Sequence, residues 1–311
     1  MRSVCYIYLI AVNTIAFIHY GADKRKAAHD KWRIPEVVLI LFAWAGGGIG
    51  AFAGMVVFHH KTHKWRFRIL VPLAMIVWGV TAVFIIYTGQ YYHAGPEAEK
   101  YIKNVSDLPV TMNHAAVTVT EKSGVYCFEG PGTDTAIVFY PGAKVQTEAY
   151  APVMYLIAQE GYDCFLVDMP FHLAFFGMNK AEAVMANHTS YQHWYMAGHS
   201  LGGAMAGNYA AAHPDQVDGV IFMAAYPTKS LKKKGIKALS LYGSQDGVLN
   251  QKHYQDSLSL MADDFTEIVI DGGNHGQFGD YGHQKGDGKS GIRQEEQWRQ
   301  TAEAVARFLA K

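Results

Sequence analysis

Ser200 stands in the run Gly198-His199-Ser200-Leu201-Gly202, followed by Gly203 and Ala204. A serine hydroxyl is a weak nucleophile until a base takes its proton. It must also be lifted clear of the backbone to reach an electrophile. Gly198 and Gly202 allow a sharp, strained turn there, because side chains at those positions would clash. The apolar run 194–197 reads as the strand entering that turn, and the small-residue run 201–213 as the helix leaving it. The chemistry that suits this spacing is attack on a carbonyl, with a covalent acyl intermediate on the serine.

A serine on such a turn takes its partners in the chain order acid, then histidine. Gly243-Ser244-Gln245-Asp246-Gly247 follows the strand-like run 238–242, which puts Asp246 at a strand's carboxyl end. Gly272-Gly273-Asn274-His275-Gly276 follows the last such run, 266–270. Asp246 would orient and stabilise the imidazolium, and His275 would carry the proton. Two rivals stand beside them. Asp271 precedes His275 by four residues and lies one strand too late, and His283 lies farther from the strand end. His199, inside the turn, would point away from the substrate. The tetrahedral intermediate needs oxyanion donors. The backbone N–H of Leu201 is one, and Ala143, in Tyr140-Pro141-Gly142-Ala143-Lys144 after an early strand, offers the other. Lys144 reads as an exposed loop lysine; sensing an acidic substrate group is the rival reading.

The elements that must hold these residues follow from periodicity. Runs 115–120, 124–129, 136–140, 164–168, 194–197, 217–224, 238–242 and 266–270 read as strands, the later ones as continuously apolar as buried parallel strands. Runs 148–160, 180–187, 201–213, 251–261 and 292–309 read as helices. This alternation predicts an α/β domain over 115–311, with a mostly parallel sheet covered on both faces. Insertion 169–193 carries Phe171, Phe175 and Phe176. It reads equally as an apolar wall for a substrate or as a loop packed on itself. Cys127 and Cys164 fall in expected strands, as small buried hydrophobes with no disulfide.

Taken together, several motifs resemble the α/β-hydrolase superfamily: Tyr140-Pro141-Gly142-x-Lys144-Val145, Met169-Pro170-Phe171, the segment from Trp194 to Gly203, Gly243-Ser244-x-Asp246-Gly247 and Gly272-Gly273-Asn274-His275. They are most similar to its compact bacterial esterase and dienelactone-hydrolase-like branch. The resemblance covers residues 91–311. It implies that fold, a Ser-His-Asp triad and no cofactor. Some members of the branch are tethered by a membrane helix with the hydrolase outside the cytoplasm. This sequence departs from the superfamily in having Tyr140-Pro141-Gly142 where His-Gly is common.

Residues 1–90 read differently. Residues 37–58 and 69–87 contain no charge, and each is long enough to cross a bilayer core of about 30 Å. Residues 4–20 make a weaker third span, so a bundle of about three transmembrane helices is expected, joined by a polar linker, 91–114, to the α/β domain. Gly46, Gly50 and Gly54 recur on one helix face, where small residues let a neighbouring helix approach. His59, His60 and His63 have a spacing that could hold a metal, but no cysteine or carboxylate joins them, and a basic, aromatic interfacial belt is preferred. The segments Gly21-x-Asp23-Lys24, Trp32-Arg33-Ile34-Pro35-Glu36 and His60-Lys61-Thr62 resemble a family of bacterial membrane proteins known only as a domain of unknown function. With three spans, the positive-inside rule ties at five Lys/Arg on each side. Four basic residues just before the last span, and none after it until Lys100, tip the balance towards a hydrolase domain outside the cytoplasm.

The net charge of +0 hides +7 in residues 1–93 and −7 in residues 94–311. A neutral total argues against a nucleic-acid binder, which should show a basic surface on its folded domain. The expected protein is an integral protein of a bacterial cell membrane. It would cleave a small, hydrophobic carboxylic ester, with the lipid bilayer as its other partner and no metal. An acyltransferase or thioesterase with the same triad, a ligand-binding sensor, and a carrier formed by residues 1–88 are the alternatives.

Overall fold

The computed structural model describes residues 2–103, 117–132 and 134–311. The chain divides into two compact units, Met1–Gly89 and Gln90–Lys311.

In the first unit, α1 (Arg2–Ala28) is one 27-residue helix. Helix α2 (Glu36–Phe42) leads through a π-helical turn, Ala43–Gly47, into α3 (Gly48–Val57), and α4 (Trp65–Thr88) follows. Two stretches of the described residues are long and apolar enough to cross a membrane by length and composition, Glu36–Val57 and Trp65–Thr88. Helix α1 is long enough, but Asn13, Thr14 and His19 and the charges of residues 23–26 dilute its apolar character. The expected glycine face is partly as drawn. Gly50 lies against the backbone of Asn13 and Gly54 against Tyr20, in close approaches that admit no side chain. Gly46 also lies against α1, at Leu9, but does not continue one helix with the other two. Its φ of 110° breaks the helix there, a conformation that glycine adopts without strain.

In the second unit, residues 91–103 of the expected linker are folded in. Tyr92 bridges to Val145, and α5 (Pro96–Lys103) sets Tyr101 against Tyr155 and Trp298. Residues 104–114 of that linker, and residues 115 and 116 of the first expected strand, lie outside the described residues. The eight expected strands are present: β1 (Thr118–Lys122), β2 (Val125–Glu129), β3 (Thr135–Tyr140), β4 (Asp163–Val167), β5 (His193–His199), β6 (Gly219–Met223), β7 (Lys237–Gly243) and β8 (Asp264–Ile270). They form one sheet in the order β1-β2-β4-β3-β5-β6-β7-β8. The β1–β2 and β2–β4 pairs are antiparallel and every later pair is parallel.

Alternation along the central strands feeds two apolar layers. Ile137, Phe139 and Leu166 face α6 (Ala151–Gln159) and α10 (Gln294–Leu309), where Met154, Trp298 and Phe308 complete the core. Val138, Phe165 and Phe222 face the other layer, formed by α7 (Lys180–Asn187), α8 (Leu201–Ala212) and α9 (Gln251–Ser257). Each fully buried phenylalanine contributes about 2–3 kcal/mol of transfer free energy. That burial fixes the register, since a one-residue slip would turn each strand's side chains into the wrong layer. The register brings the carboxyl ends of β5, β7 and β8 to one edge of the sheet.

Candidate active site

Ser200 sits between β5 and α8 with φ 53° and ψ −123°. Its N–H donates to Met223 O at 3.0 Å, which ties the turn to neighbouring β6. A Cβ on Gly198 would meet Gly202 C at 2.5 Å, and one on Gly202 would overlap the Tyr140 and Pro141 carbonyls. The two glycines are therefore what lets the turn close against the end of β3. Leu201 opens α8, so its N–H is among the helix-terminal donors without an intrahelical acceptor.

Asp246 and His275 meet across the ends of β7 and β8. His275 Nδ1 lies 2.9 Å from Asp246 Oδ2, with side-chain exposures of 1% and 0%. The other carboxylate oxygen of Asp246 accepts the N–H groups of Val248 and Leu249 at 2.9 and 2.8 Å. A carboxylate held in this way makes Nδ1 the protonated nitrogen of His275 and leaves Nε2 a lone pair. Nε2 is buried and has no hydrogen-bond partner among the described residues. Ser200 and His275 line one cavity of ≈ 330 Å³, with Leu201, Met205, Val248 and Leu249 on its apolar side and Thr228 and Asn250 as polar groups. The arrangement can accept a proton from a serine hydroxyl and pass it on.

The rival residues lie elsewhere. Asp271 is exposed and accepts Ser244 Oγ at 3.1 Å. His283 is exposed and lines a different cavity. His199 turns into the core, with Nδ1 2.8 Å from Tyr150 Oη. That phenol also accepts the Gly142 N–H at 3.1 Å. Burial, and then neighbouring His275, hold the His199 imidazole well below its ordinary pKa, while burial pushes the Tyr150 phenol up. Tyr150 thus ties the β3 loop to the serine turn. In that loop the Gly142 and Lys144 amides are already used, the latter on His172 O at 2.8 Å. Ala143 lies between them and does not line the cavity with Ser200. Phe171, Phe175 and Phe176 also stay out of that cavity. They are exposed, with Phe176 against both of the others at 5.6 and 5.5 Å.

Two groups that support the site were not singled out by sequence reasoning. Tyr150 is one. The other is Asp287, whose Oδ1 accepts N–H groups of Gly247, His275 and Gly288 at 3.1, 3.2 and 2.8 Å, and whose Oδ2 accepts that of Gly276 at 2.7 Å. It clips the loop carrying Asp246 to the loop carrying His275.

Residues 136–299 match the family model "Alpha/beta hydrolase family", and residues 13–67 match "Protein of unknown function (DUF1294)". The chain therefore belongs to the alpha/beta hydrolase family, with a DUF1294 domain at its amino end. The Bacillus subtilis (strain 168) protein "Uncharacterized protein YsdA" is 43% identical over 70 residues, covering 22% of this chain and 79% of that protein. Among solved structures, the chain is similar to Est1E from Butyrivibrio proteoclasticus at 16% identity, covering 63% of this chain and 99% of that one, with a TM-score of 0.46. It is also similar to a predicted CIB-like hydrolase from Thermoplasma acidophilum, at 18% identity, 62% and 99% coverage and a TM-score of 0.46. A hydrolase is the class that the family supports.

Proposed function

We propose that the protein is a membrane-anchored serine hydrolase that cleaves carboxylic esters. The observation that carries the reading is the buried Asp246–His275 pair at 2.9 Å, with His275 sharing a cavity with the strained Ser200 turn. His275 Nε2 takes the Ser200 proton as Oγ attacks the ester carbonyl. The N–H group of Leu201, at the amino end of α8 where partial positive charge collects, holds the oxyanion. Protonated His275 then gives its proton to the departing alkoxide. Water, activated by the same imidazole, releases the acid from the acyl-enzyme. Asp246 keeps Nδ1 protonated throughout and stabilises the imidazolium. The apolar wall of the cavity suits a hydrophobic acyl or alcohol group of modest size. Anchoring is supported by the apolar stretches of the first unit.

The test is labelling of the detergent-solubilised full chain with a fluorophosphonate probe. Wild type is expected to label and Ser200→Ala not to label. A folded wild type that stays unlabelled would overturn the reading.

A further inference from the structure

The chain reverses at Gly46. A continuous helix from Glu36 to Val57 would hold its ends about 32 Å apart, at about 1.5 Å per residue. Here the flanks of α2 and α3 share partners instead. The Asp23 carboxylate, near the end of α1, accepts the Ile34 N–H at 2.9 Å and the His60 Nε2–H at 2.7 Å. Glu36 takes the Lys61 ammonium at 2.9 Å and pairs also with Lys64. Residues 34–36 enter α2 and residues 60–64 follow α3, so both feet of this segment stand at one end of the unit.

Contacts along α1 trace the same path in and out. Going in, Phe42 meets the His19 ring at 4.8 Å, and a Cβ on Gly46 would lie 3.2 Å from Leu9. Coming back, the Gly50 N–H donates to Asn13 Oδ1 at 2.8 Å, Gly54 lies against Tyr20, and Gly21 lies against Phe58. Helix α4 agrees, with Phe67 beside Tyr20 at the open end and Trp78 at the tip. The reversal takes the carbonyls of residues 44–46 out of the helical ladder, and a side chain accounts for each. Trp78 Nε1 donates to Trp44 O at 2.8 Å, Tyr8 Oη to Ala45 O at 2.6 Å, and Asn13 Nδ2 to Gly46 O at 2.9 Å. Broken backbone at membrane depth is tolerated only where protein satisfies it in this way.

We infer that residues 36–57 form a re-entrant hairpin that enters and leaves the bilayer by one face, so that only α1 and α4 cross and the hydrolase domain lies on the opposite, extracytoplasmic side. This rests on the membrane-anchored reading above and adds the pool from which the site draws its ester. Leu9 at the tip and Asp23 at the feet are separated by about 21 Å of helix, short of a core of about 30 Å. Helices α1 and α4 continue past the tip in the direction away from the feet.

The hairpin removes the charge tie of the three-span reading. Lys24, Arg25, Lys26, Lys31 and Arg33 now share a face with Lys61, Lys64, Arg66 and Arg68. The other face has Arg2, and no further basic residue until Lys100. Such an excess of Lys and Arg in short loops marks the cytoplasmic side. The chain then leaves α4 outside the cytoplasm, where Ser200 meets esters that need not enter the cell.

The experiment uses the full-length chain in bacterial spheroplasts, with single cysteines introduced as Lys31→Cys, His63→Cys or Lys232→Cys, all at exposed positions. A membrane-impermeant maleimide is applied before and after membrane disruption, with wild type as the background. Lys31→Cys and His63→Cys are expected to label only after disruption, and Lys232→Cys to label beforehand. Opposite behaviour of the first two would restore a continuous span and overturn the hairpin. Labelling of Lys232→Cys only after disruption would overturn the extracytoplasmic assignment. Release of the protein from membranes without detergent would overturn the anchoring itself. Spheroplasts are also given a membrane-impermeant ester. The expected labelling without any hydrolysis, even after disruption, would sink the hydrolase reading and leave the topology standing.

Discussion

Replacing Asp287 by alanine removes the acceptor on which the loops bearing Asp246 and His275 meet. Four backbone N–H groups lose their partner, from Gly247, His275, Gly276 and Gly288. The carboxylate is half-buried, so water recovers part of the loss. At about 1 kcal/mol for each of three or so effective bonds, the cost is about 3 kcal/mol. For a unit of this size, that lowers the melting temperature by roughly 6–12 °C. The loss should also reach the chemistry. Once untied, the two loops can drift by a fraction of an ångström, and a misplacement of about 1 Å costs about 10²-fold. Fluorophosphonate labelling of Asp287→Ala should therefore slow by roughly 10- to 100-fold, with the protein still folded at 20 °C. Asp287→Asn keeps the three bonds to Oδ1 and loses the one from Gly276, so it should fall between wild type and alanine on both scales. The assay is labelling rate beside thermal unfolding followed by intrinsic fluorescence. Wild-type labelling and unchanged unfolding in Asp287→Ala would refute the argument that this carboxylate holds the site together.

Asp246→Asn leaves the fold intact but favours the wrong tautomer of His275, so esterase kcat should drop by about 10⁴-fold; a loss under tenfold would move the acid elsewhere. His199 is neutral in the folded protein, with its pKa depressed by burial and then by His275. The unfolded chain takes up that proton below about pH 6.5, so stability is lost as the pH falls through that value. Urea midpoints at pH 7.5 and 5.5 should therefore differ less in His199→Gln than in wild type, and an equal drop in both would place the acid sensitivity elsewhere.

The second unit was legible because its signals are local. Each buried strand announces itself as an apolar run, and the serine turn needs glycines at fixed offsets, so β5, Ser200 and α8 could be read within twenty residues. Chain order then pointed to Asp246 and His275. Tyr150 and Asp287 were not legible in the same way. Their value lies in accepting backbone N–H groups of the loops that they tie, and an N–H carries no residue type to search for. The Phe171–Phe176 loop was ambiguous for a related reason, since exposed and substrate-facing phenylalanines have the same composition.

The first unit divides along the same line. Composition along the chain is enough to show that residues 37–58 and 69–87 are apolar, that two loops are basic, and that glycines crowd the middle. Hydropathy adds up residues without regard to direction, so a hairpin and a straight span of 22 residues look identical to it. The reversal depends on one backbone angle, at Gly46, and on Tyr8, Asn13 and Trp78 arriving from other helices to satisfy the carbonyls that it frees. That Asp23 holds Ile34 and His60 together emerges only once the chain is folded, because a contact between residues dozens of positions apart depends on the path of the chain between them.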